Sequence, residues 1–396
     1  MKIAHAIDMS ALQMGGVEVL VRSLIAAAPE ADKIFLISQD REDNLHASGW
    51  ARRLSGHCRV PEGWISRAWT GELVAWLKHQ GVELCHFHLG GTYGWQAGSL
   101  CSCPITAVAR SGIPTVVTNH QAVSFFGEAG PPRPYWRSVA AVCKVWPGKA
   151  RQLSSVHWEV AISRNDLAVS RRYYPMFRSK LIQAYHSRLD VDLDVSAPPP
   201  SKIILNVATL AFRKGQHVLV EAFARIAAEF PEWKLRLVGY QAEKACAEAI
   251  QKMIRAAGLE DRIVLCGPVA EPMPYFAEAE IYVQPSLIEG LGLSLQEAMF
   301  HGRACIGSNT GGIPELIDSP ETGMLYPCGD VGALADALKR LMDNSRERDM
   351  LGRAARASVL AKGMTLQAMC DFYRELYQQT LAASRAKLPD YCYLRA

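Results

Sequence analysis

The sequence predicts an α/β protein built from two doubly wound domains. Its 396 residues fit two domains, because a domain usually holds about 100 to 200 residues. In both halves, short runs rich in β-branched residues alternate with longer helical segments, which is typical of a parallel sheet covered by helices. Three consecutive prolines at 198–200 separate the halves, since such a run neither continues a helix nor joins a central strand.

The strands predicted in the N-terminal half lie at 2–7, 33–38, 84–89, 114–119 and 158–163. Those of the C-terminal half lie at 202–209, 234–239, 262–267, 281–286 and 303–309, and helices are predicted at 333–342 and 366–383. We therefore expect an N-terminal domain over 1–195, a linker over 196–201, a C-terminal domain over 202–380 and a tail over 381–396. Sheets of this type bind ligands at the carboxyl ends of their strands, so the residues that follow the strands are the first candidates for a site.

Composition and charge exclude several classes of protein. The hydrophobic fraction is 49% and the net charge is only +4, so there is no large basic field for nucleic acid. No apolar stretch is long enough to span a membrane, and the N-terminal run MKIAHAIDM is typical of a first strand rather than a signal peptide. The 11 cysteines of a chain this large are expected to be reduced thiols. These features together predict a cytoplasmic protein.

Two carboxylates flank a glycine-rich loop after the strand predicted at 281–286. Glu289 precedes the loop 290–292, and a helix is expected to begin near Ser294, so backbone amides and a helix N-terminus converge where an anion can bind. Glu297 lies about one turn into that helix. Since carboxylates accept hydrogen bonds from the paired hydroxyls of a sugar or a ribose, the pattern favours a nucleotide sugar. The alternative is structural, because Ser294 and Glu297 also have the spacing of a capping box.

The stretch from Val283 to Ile317, VQPSLIEGLGLSLQEAMFHGRACIGSNTGGIPELI, resembles the nucleotide-sugar motif of the retaining glycosyltransferases of family 4. The Glu-x7-Glu spacing, the trailing EAM and the Thr-Gly-Gly-x-Pro-Glu tail all match in order, and this combination is far more specific than Glu-x7-Glu alone. The resemblance covers most of the C-terminal half and, more thinly, the N-terminal half. It implies the GT-B fold, in which two Rossmann-like domains face each other across a cleft.

The resemblance implies a role for each residue of the motif. Glu289 would contact hydroxyls of the donor sugar, and Glu297 would contact the ribose. The backbone of the glycine loop would hold the diphosphate, while a Thr-Gly-Gly turn would line the same end of the sheet, although a simple tight turn is the alternative there. The implied donor-binding residues of this stretch are Gly290, Leu291, Gly292, Leu293, Glu297, Thr310, Gly311 and Gly312.

The stretch NVATLAFRKGQHVLVEAF at 206–223 resembles the element of the family that supplies cations to the leaving diphosphate. Lys214 lies at the position of the family lysine, but Thr209 replaces the arginine usually found five residues earlier. Without a metal ion, some cation must stabilise the departing phosphate. Either Arg213 therefore takes part, or Lys214 acts with Thr209 and backbone donors, and Arg213 is then a solvated loop residue. We expect neither a metal nor a cofactor, with the nucleotide sugar as co-substrate.

In the N-terminal half, Gly15 and Gly16 separate the first strand from a helix, at the place where the family faces the donor phosphate. Two glycines in such a turn are weak evidence by themselves. His120 follows the strand at 114–119 and lies at the position of the family histidine beside the transferred sugar. His88 is a weaker candidate of the same kind, for the acceptor. The resemblance therefore implies that His120, Lys214 and Glu289 are the catalytic residues.

Two further patterns resemble metal sites. The Asp-x-Asp spacing used by metal-dependent transferases occurs at 190–194, but it immediately precedes the proline run and is interpreted as solvated linker charge. A second group of residues suggests zinc, but strand alternation sends neighbours to opposite faces, and Cys-x2-Cys and His-x3-His spacings are lacking. That group consists of Cys85, His86, His88, Cys101 and Cys103.

The segment 133–152 mixes basic residues with tyrosine and tryptophan, as helices that lie on anionic membranes do. It fits peripheral contact at the inner face of a membrane, where a lipid-linked acceptor is held. A solvated face with core tryptophans is an equally good interpretation.

The resemblance implies a hexosyltransferase that moves a sugar, with retention, from a UDP- or GDP-sugar to a hydroxyl of a glycan or lipid-linked acceptor. Cell-envelope polysaccharide or lipopolysaccharide biosynthesis is the expected context. The alternatives are a non-catalytic protein that binds nucleotide sugars, a transferase with a small-molecule acceptor, a phosphorylase and an epimerase. The missing arginine at Thr209 is the feature that favours a binding protein.

Overall fold

The computed structural model describes residues 1–7, 10, 16–47, 49–61, 66–90, 103–120, 146–190 and 201–386. These residues form two compact units. The first contains the described residues up to 120 together with 146–188 and 366–386, and the second contains 189–190 and 201–365.

The first unit is built on a seven-stranded parallel sheet in the order β3-β2-β1-β4-β5-β6-β7. Its strands are β1 Lys2–Ile7, β2 Lys33–Ser38, β3 Leu54–Arg59, β4 Leu84–Leu89, β5 Thr115–Asn119, β6 Trp158–Ala161 and β7 Leu181–Gln183. Its helices are α1 Gly16–Ala26, α2 Glu42–Ala47, α3 Arg67–His79, α4 Pro104–Arg110, α5 at 146–155, α6 Arg164–Tyr173 and the last helix, α14 Leu366–Ala386.

The second unit is built on a six-stranded parallel sheet in the order β10-β9-β8-β11-β12-β13. Its strands are β8 Ile203–Val207, β9 Lys234–Val238, β10 Ile263–Gly267, β11 Ile281–Gln284, β12 Ala304–Ser308 and β13 Met324–Tyr326. Its helices are α7 Gln216–Ile226, α8 Lys244–Ala256, α9 Met273–Glu278, α10 Leu293–Phe300, α11 Ile313–Leu316, α12 Val331–Asp343 and α13 Ser345–Ala361.

Both sheets change winding direction between their first and fourth strands. In the first unit β1 pairs with both β2 and β4, and in the second β8 pairs with both β9 and β11. Helices cover both faces of such a sheet, and β4 and β11 are accordingly buried along their whole length. The carboxyl ends of β1 and β4, and of β8 and β11, are therefore where each unit is expected to hold a ligand.

Every strand predicted from the sequence is present, with ends displaced by at most two residues. Three strands were missed. The sequence of β3, LSGHCR, contains a glycine and only half-buries its hydrophobic positions, while β7 and β13 are three residues long and too short to show a period. Among the described residues, none of the helices combines the length and apolar character that crossing a membrane requires.

The predicted C-terminal boundary at 380 needs a correction, because α14 belongs to the first unit from Leu366 onward. Its buried residues Tyr373 and Tyr377 direct their hydroxyls to Thr118 and His86 of that unit's sheet. The helix therefore completes the N-terminal fold rather than the C-terminal one. The linker at 196–200 and the tail from 387 lie outside the described residues.

Candidate functional site

Lys214 and Glu289 form an ion pair beyond the carboxyl ends of β8 and β11. The Lys214 Nζ atom donates to both oxygens of Glu289, at 3.0 and 2.8 Å, and the two side chains are only 15% and 10% exposed. A carboxylate and an ammonium group thus meet where the sheet changes direction, which is the expected ligand position of this fold. Two of the three residues that the sequence marked as catalytic are therefore in direct contact.

A second set of hydrogen bonds fixes the Glu289 carboxylate from the side of β11. Its Oε2 atom accepts from the Ser286 hydroxyl at 2.8 Å and from the Gln284 amide at 3.0 Å. The Gln284 amide also donates to Ser286, and its oxygen accepts from the Tyr282 hydroxyl at 2.6 Å. Because each member of this network is buried or half-buried, the carboxylate has little freedom to rotate.

The charge of Glu289 is set by opposing effects. Burial on its own raises the pKa of the carboxyl group, but the ammonium of Lys214, the hydrogen bonds from Lys214 and Ser286, and the charge of Arg213 outweigh it. The pKa of Glu289 is therefore held below its ordinary value, and the side chain is ionised at neutral pH. Arg213, whose role the sequence left open, thus acts electrostatically on this carboxylate.

Main-chain contacts hold the two loops of the site together. The carbonyl of Arg213 accepts hydrogen bonds from the amides of Leu287 at 2.8 Å and Ile288 at 3.3 Å. Gly215 packs so closely that a Cβ atom there would lie 1.9 Å from the Pro285 carbonyl oxygen. Lys214 is thereby placed opposite Glu289 by backbone that leaves no room for a side chain at the next residue.

We expect Gly215→Ala to be strongly destabilising. Gly215 has φ of +69°, and Gly258, at φ of +65° but with open space around it, provides the matched control. Gly258→Ala should cost about 1 to 2 kcal/mol from the left-handed conformation alone. Gly215→Ala should cost about 1 to 3 kcal/mol more, because the loops must separate. Urea denaturation of both variants measures the difference, and equal losses would show that the close contact with Pro285 has no energetic weight.

The helix α10 begins at Leu293, with Gly292 as its N-cap residue in a left-handed conformation, φ +98°. Ser294 is therefore the second residue of the helix, and the capping-box interpretation of Glu297 is wrong. Glu297 lies in the middle of α10 and is 8% exposed. Gly290 and Leu291 are buried.

The Thr-Gly-Gly turn after β12 packs on the same loop. The Thr310 hydroxyl donates to the Leu287 carbonyl at 3.3 Å, and a Cβ atom on Gly311 would lie 1.8 Å from the Glu289 carbonyl oxygen. Gly311 therefore allows the close approach that the sequence suggested, but to the loop of Glu289 itself. Gly312 precedes α11 as its N-cap residue. Thr209, in the loop after β8, accepts a hydrogen bond from the Gln216 amide through its carbonyl, at 2.9 Å.

In the first unit, His120 directly follows β5 and is hydrogen-bonded to another histidine. Its Nε2 atom lies 3.1 Å from Nδ1 of His88, whose Nε2 atom lies 3.0 Å from Nδ1 of His5. His88 is thus buried with both ring nitrogens engaged. Gly16 begins α1, and Gly15 lies outside the described residues.

The aromatic and basic segment 133–152 and the Asp-x-Asp run are each described only in part. In the segment 133–152, only 146–152 is described. There the Trp146 indole donates to the Tyr173 carbonyl at 3.0 Å, and buried Lys149 pairs with Glu159 at 2.5 Å. These two side chains therefore contact residues of the same unit. Of the Asp-x-Asp run, only Asp190 is described, and Cys101 also lies outside the described residues.

Comparison with known proteins gives the family. The model of the family described as "Glycosyl transferases group 1" matches residues 194–358. N-acetyl-alpha-D-glucosaminyl L-malate synthase of Bacillus anthracis is 37% identical over 161 residues, which is 40% of each chain, so the match spans two fifths of that relative. WcaL of Escherichia coli (strain K12), named provisionally as a colanic acid biosynthesis glycosyltransferase, is 30% identical over 358 residues, 77% of this chain and 82% of WcaL. The chain belongs to the group 1 glycosyl transferases.

The fold agrees with this family. The structure of Anabaena Alr3699/HepE in complex with UDP-glucose superposes with a TM-score of 0.73 at 16% identity, covering 97% of this chain and 100% of that chain. At this identity the likeness concerns the fold alone. Together with the two α/β units, each built on a parallel sheet, it shows the GT-B fold. The predicted fold and the predicted membership of a glycosyltransferase family are thus confirmed.

Sequence reasoning missed the residues that hold the named ones in place. Gln284 ends β11 and Ser286 lies two residues further on, and within the longer strand predicted at 281–286 this spacing would have placed both side chains on one face. His5 and His186 gave no such signal, because each meets its partners through strand register or through α14 rather than through sequence spacing.

Proposed function

We propose that the protein is a retaining, metal-independent glycosyltransferase that moves a sugar from a UDP- or GDP-sugar to a hydroxyl group of a glycan or lipid-linked acceptor. The observation that carries the proposal is the buried pair of Lys214 and Glu289 at the switch point of the second sheet. The complex of Alr3699/HepE with UDP-glucose supports a nucleotide-sugar donor. The name of WcaL supports an acceptor in polysaccharide biosynthesis.

In this proposal, Lys214 changes partner when the donor binds. Its ammonium group neutralises the leaving diphosphate, with the positive end of α10 and the amides of the glycine loop as further donors. Arg213 adds a second positive charge close by, which compensates for Thr209 at the position where the family usually has an arginine. The positive charge that a metal ion supplies in other transferases comes here from side chains.

Glu289 and Glu297 accept hydrogen bonds from the hydroxyl groups of the donor. The ionised Glu289 accepts from hydroxyls of the transferred sugar, while Glu297 accepts from the ribose. Glu289 is held by Gln284 and Ser286 as a fixed acceptor, which orients the sugar. The role of His120 as the third catalytic residue is inferred from the motif resemblance alone. Retention follows from attack of the acceptor on the same face from which the diphosphate leaves, and it is inferred from the motif resemblance.

A panel of UDP- and GDP-sugars tests this function. Purified protein should hydrolyse or transfer from one donor, with equal rates in EDTA and in Mg²⁺ or Mn²⁺. A thermal shift without turnover would instead identify a protein that binds nucleotide sugars, because binding alone stabilises the folded state. A rate lost in EDTA and restored by a divalent ion would contradict metal independence. The anomeric configuration of the product, read by NMR, decides between retention and inversion.

Glu297→Gln should weaken binding of the free nucleoside diphosphate by about 1 to 3 kcal/mol, because a charge-assisted hydrogen bond to the ribose is lost. Thermal stability should change little. Glu280 provides the matched control, since it precedes β11 at the opposite end of the strand and pairs with buried Arg348 at 2.5 Å. Glu280→Gln should lower the melting temperature and leave affinity unchanged. Calorimetric titration measures the affinity and thermal denaturation measures the melting temperature. Equal changes of both quantities in the two variants would refute the assignment of Glu297 to the ribose.

A further inference from the structure

Five histidines lie close together in the first unit. His5 on β1 pairs in register with His86 on β4, and His88 follows two residues later on the same face. His120 follows β5 and His186 follows β7. Their rings are packed in sequence, with centroids 5.3 Å apart for His5 and His88, 5.4 Å for His88 and His120, and 5.0 Å for His120 and His186.

Three of these histidines form one hydrogen-bonded line. The Nδ1 atom of His5 faces Nε2 of His88 at 3.0 Å, and Nδ1 of His88 faces Nε2 of His120 at 3.1 Å. A neutral imidazole carries a single ring proton, so His88 donates to one neighbour and accepts from the other. The tautomers of the three rings are therefore coupled, and only two arrangements, with all protons displaced one way or the other, satisfy both hydrogen bonds.

A second line of hydrogen bonds lies beside the first, and none of the bonds described for it involves His120. His86 is held between the Tyr377 hydroxyl, at 2.6 Å from Nδ1, and the Thr118 hydroxyl, at 2.7 Å from Nε2. Thr118 continues to the Tyr373 hydroxyl at 2.8 Å, and Tyr373 continues to Nε2 of His186 at 2.7 Å. His86 is thus as buried and as fully bonded as His88, but it belongs to a different line.

Burial keeps the histidines of the first line neutral. Desolvation lowers the pKa of His5 to about 4, and desolvation together with repulsion from neighbouring histidines lowers the pKa of His88 and of His120 well below the ordinary value. A line of neutral rings is what tautomer coupling requires, because a protonated His88 would donate at both nitrogens.

One ring nitrogen from each of His5, His86 and His88 also lies within 4.8 Å of the other two, a spacing that a metal ion can use. Yet both nitrogens of His86 and of His88 already have partners, and the separations of 3.0 and 3.1 Å in the first line are hydrogen-bond distances. The geometry therefore favours a hydrogen-bonded line over a metal centre.

We propose that His5 and His88 are positioning residues that fix the tautomer and the ring orientation of His120. The Nδ1 atom of His120 is buried and has no hydrogen-bond partner among the described residues, so it is the ring atom that remains available for a hydrogen bond to a substrate hydroxyl group. The line decides whether this atom donates or accepts. The inference rests on the proposed function for its substrate, but the coupling of the three rings is a property of the protein alone.

The test replaces His88 by its two amide analogues. The amide of glutamine reaches the place of Nε2, toward His5, whereas that of asparagine reaches the place of Nδ1, toward His120. His88→Gln should lower kcat of sugar transfer by about 10- to 100-fold, with KM for the donor unchanged, because His120 is misplaced. His88→Asn should recover most of that loss. His86→Asn, the matched control, should lower thermal stability without lowering kcat.

Nitrogen NMR of histidine-labelled full-length protein reads the line without any activity. In the wild type, the three rings of the line are expected to carry the same tautomer, either all protonated at Nδ1 or all at Nε2, and in His88→Gln the tautomer of His120 should change or become mixed. If no donor gives turnover, the proposed function fails, yet the tautomer of His120 still decides the present inference. An unchanged tautomer in His88→Gln would overturn it, and so would equal kcat values for the two His88 variants. One equivalent of zinc, bound by the wild type and lost in His88→Gln, would overturn it in favour of a metal centre.

Discussion

Lys214→Met should reduce kcat of sugar transfer by about 10²- to 10³-fold, the loss typical when a donor to developing negative charge is removed. Affinity for the free nucleoside diphosphate should also fall, by about 1 to 3 kcal/mol. Both effects have one cause, since the diphosphate loses its cation and the buried carboxylate of Glu289 loses the ammonium that it contacts at 2.8 and 3.0 Å. Steady-state kinetics and calorimetric titration measure the two effects separately.

Two controls limit the interpretation of this variant. Lys244→Met removes an exposed lysine of the same unit, whose contact with Glu248 is 3.7 Å long, and should change neither quantity. The double variant Lys214→Met with Glu289→Gln removes the uncompensated charge and should regain stability without regaining turnover. A Lys214→Met protein with wild-type affinity and turnover would mean that the ion pair is only structural.

Acid should unfold the first unit through its buried histidines. In the unfolded chain each histidine binds a proton near pH 6.5, whereas folding lowers the pKa of His5 to about 4 and that of His186 to about 3. Between these values the unfolded state binds more protons, so stability is complete above about pH 6.5 and falls as the pH decreases. Each histidine whose pKa is lowered by folding changes the free energy of unfolding by ~1.4 kcal/mol per pH unit in this window.

Urea denaturation followed by circular dichroism between pH 7.5 and about 4.5 measures this slope. His5→Leu removes one titrating group and should reduce the slope by about one proton. Replacing an exposed histidine, as in His46→Gln, is the matched control for removal of the residue type. A free energy of unfolding that stays constant from pH 7.5 to 4.5 would show that the cluster is protonated or hydrated in the folded protein.

Local patterns were sufficient to predict most of the fold. Alternating strands and helices, and the proline run, follow from backbone and side-chain preferences that act within a few residues, so the two parallel sheets were foreseen. The place of α14 was not, because Tyr377 meets His86 across 291 residues of sequence. Such a contact depends on which unit offers a complementary face, and no local pattern encodes that choice.

The candidate site shows the same division. Lys214 and Glu289 were marked by motif, and the structure brings them together across 75 residues. Of the three histidines in the line from His5 through His88 to His120, the sequence had marked only His88 and His120 as candidates. His5 joins them through the register of β1 with β4, which pairs residues 81 positions apart. Strand order is a property of the whole sheet, so this line became visible only in the structure.

The most direct test of the account is a structure of the full chain with bound UDP or GDP. We expect the diphosphate to lie within about 2.7 to 3.2 Å of the Lys214 Nζ atom and of amides at the start of α10, with the ribose hydroxyls on Glu297. Lys214 should then have exchanged at least one of its contacts with Glu289 for a phosphate oxygen. A nucleotide bound elsewhere, with the ion pair intact, would contradict the donor site and the function built on it.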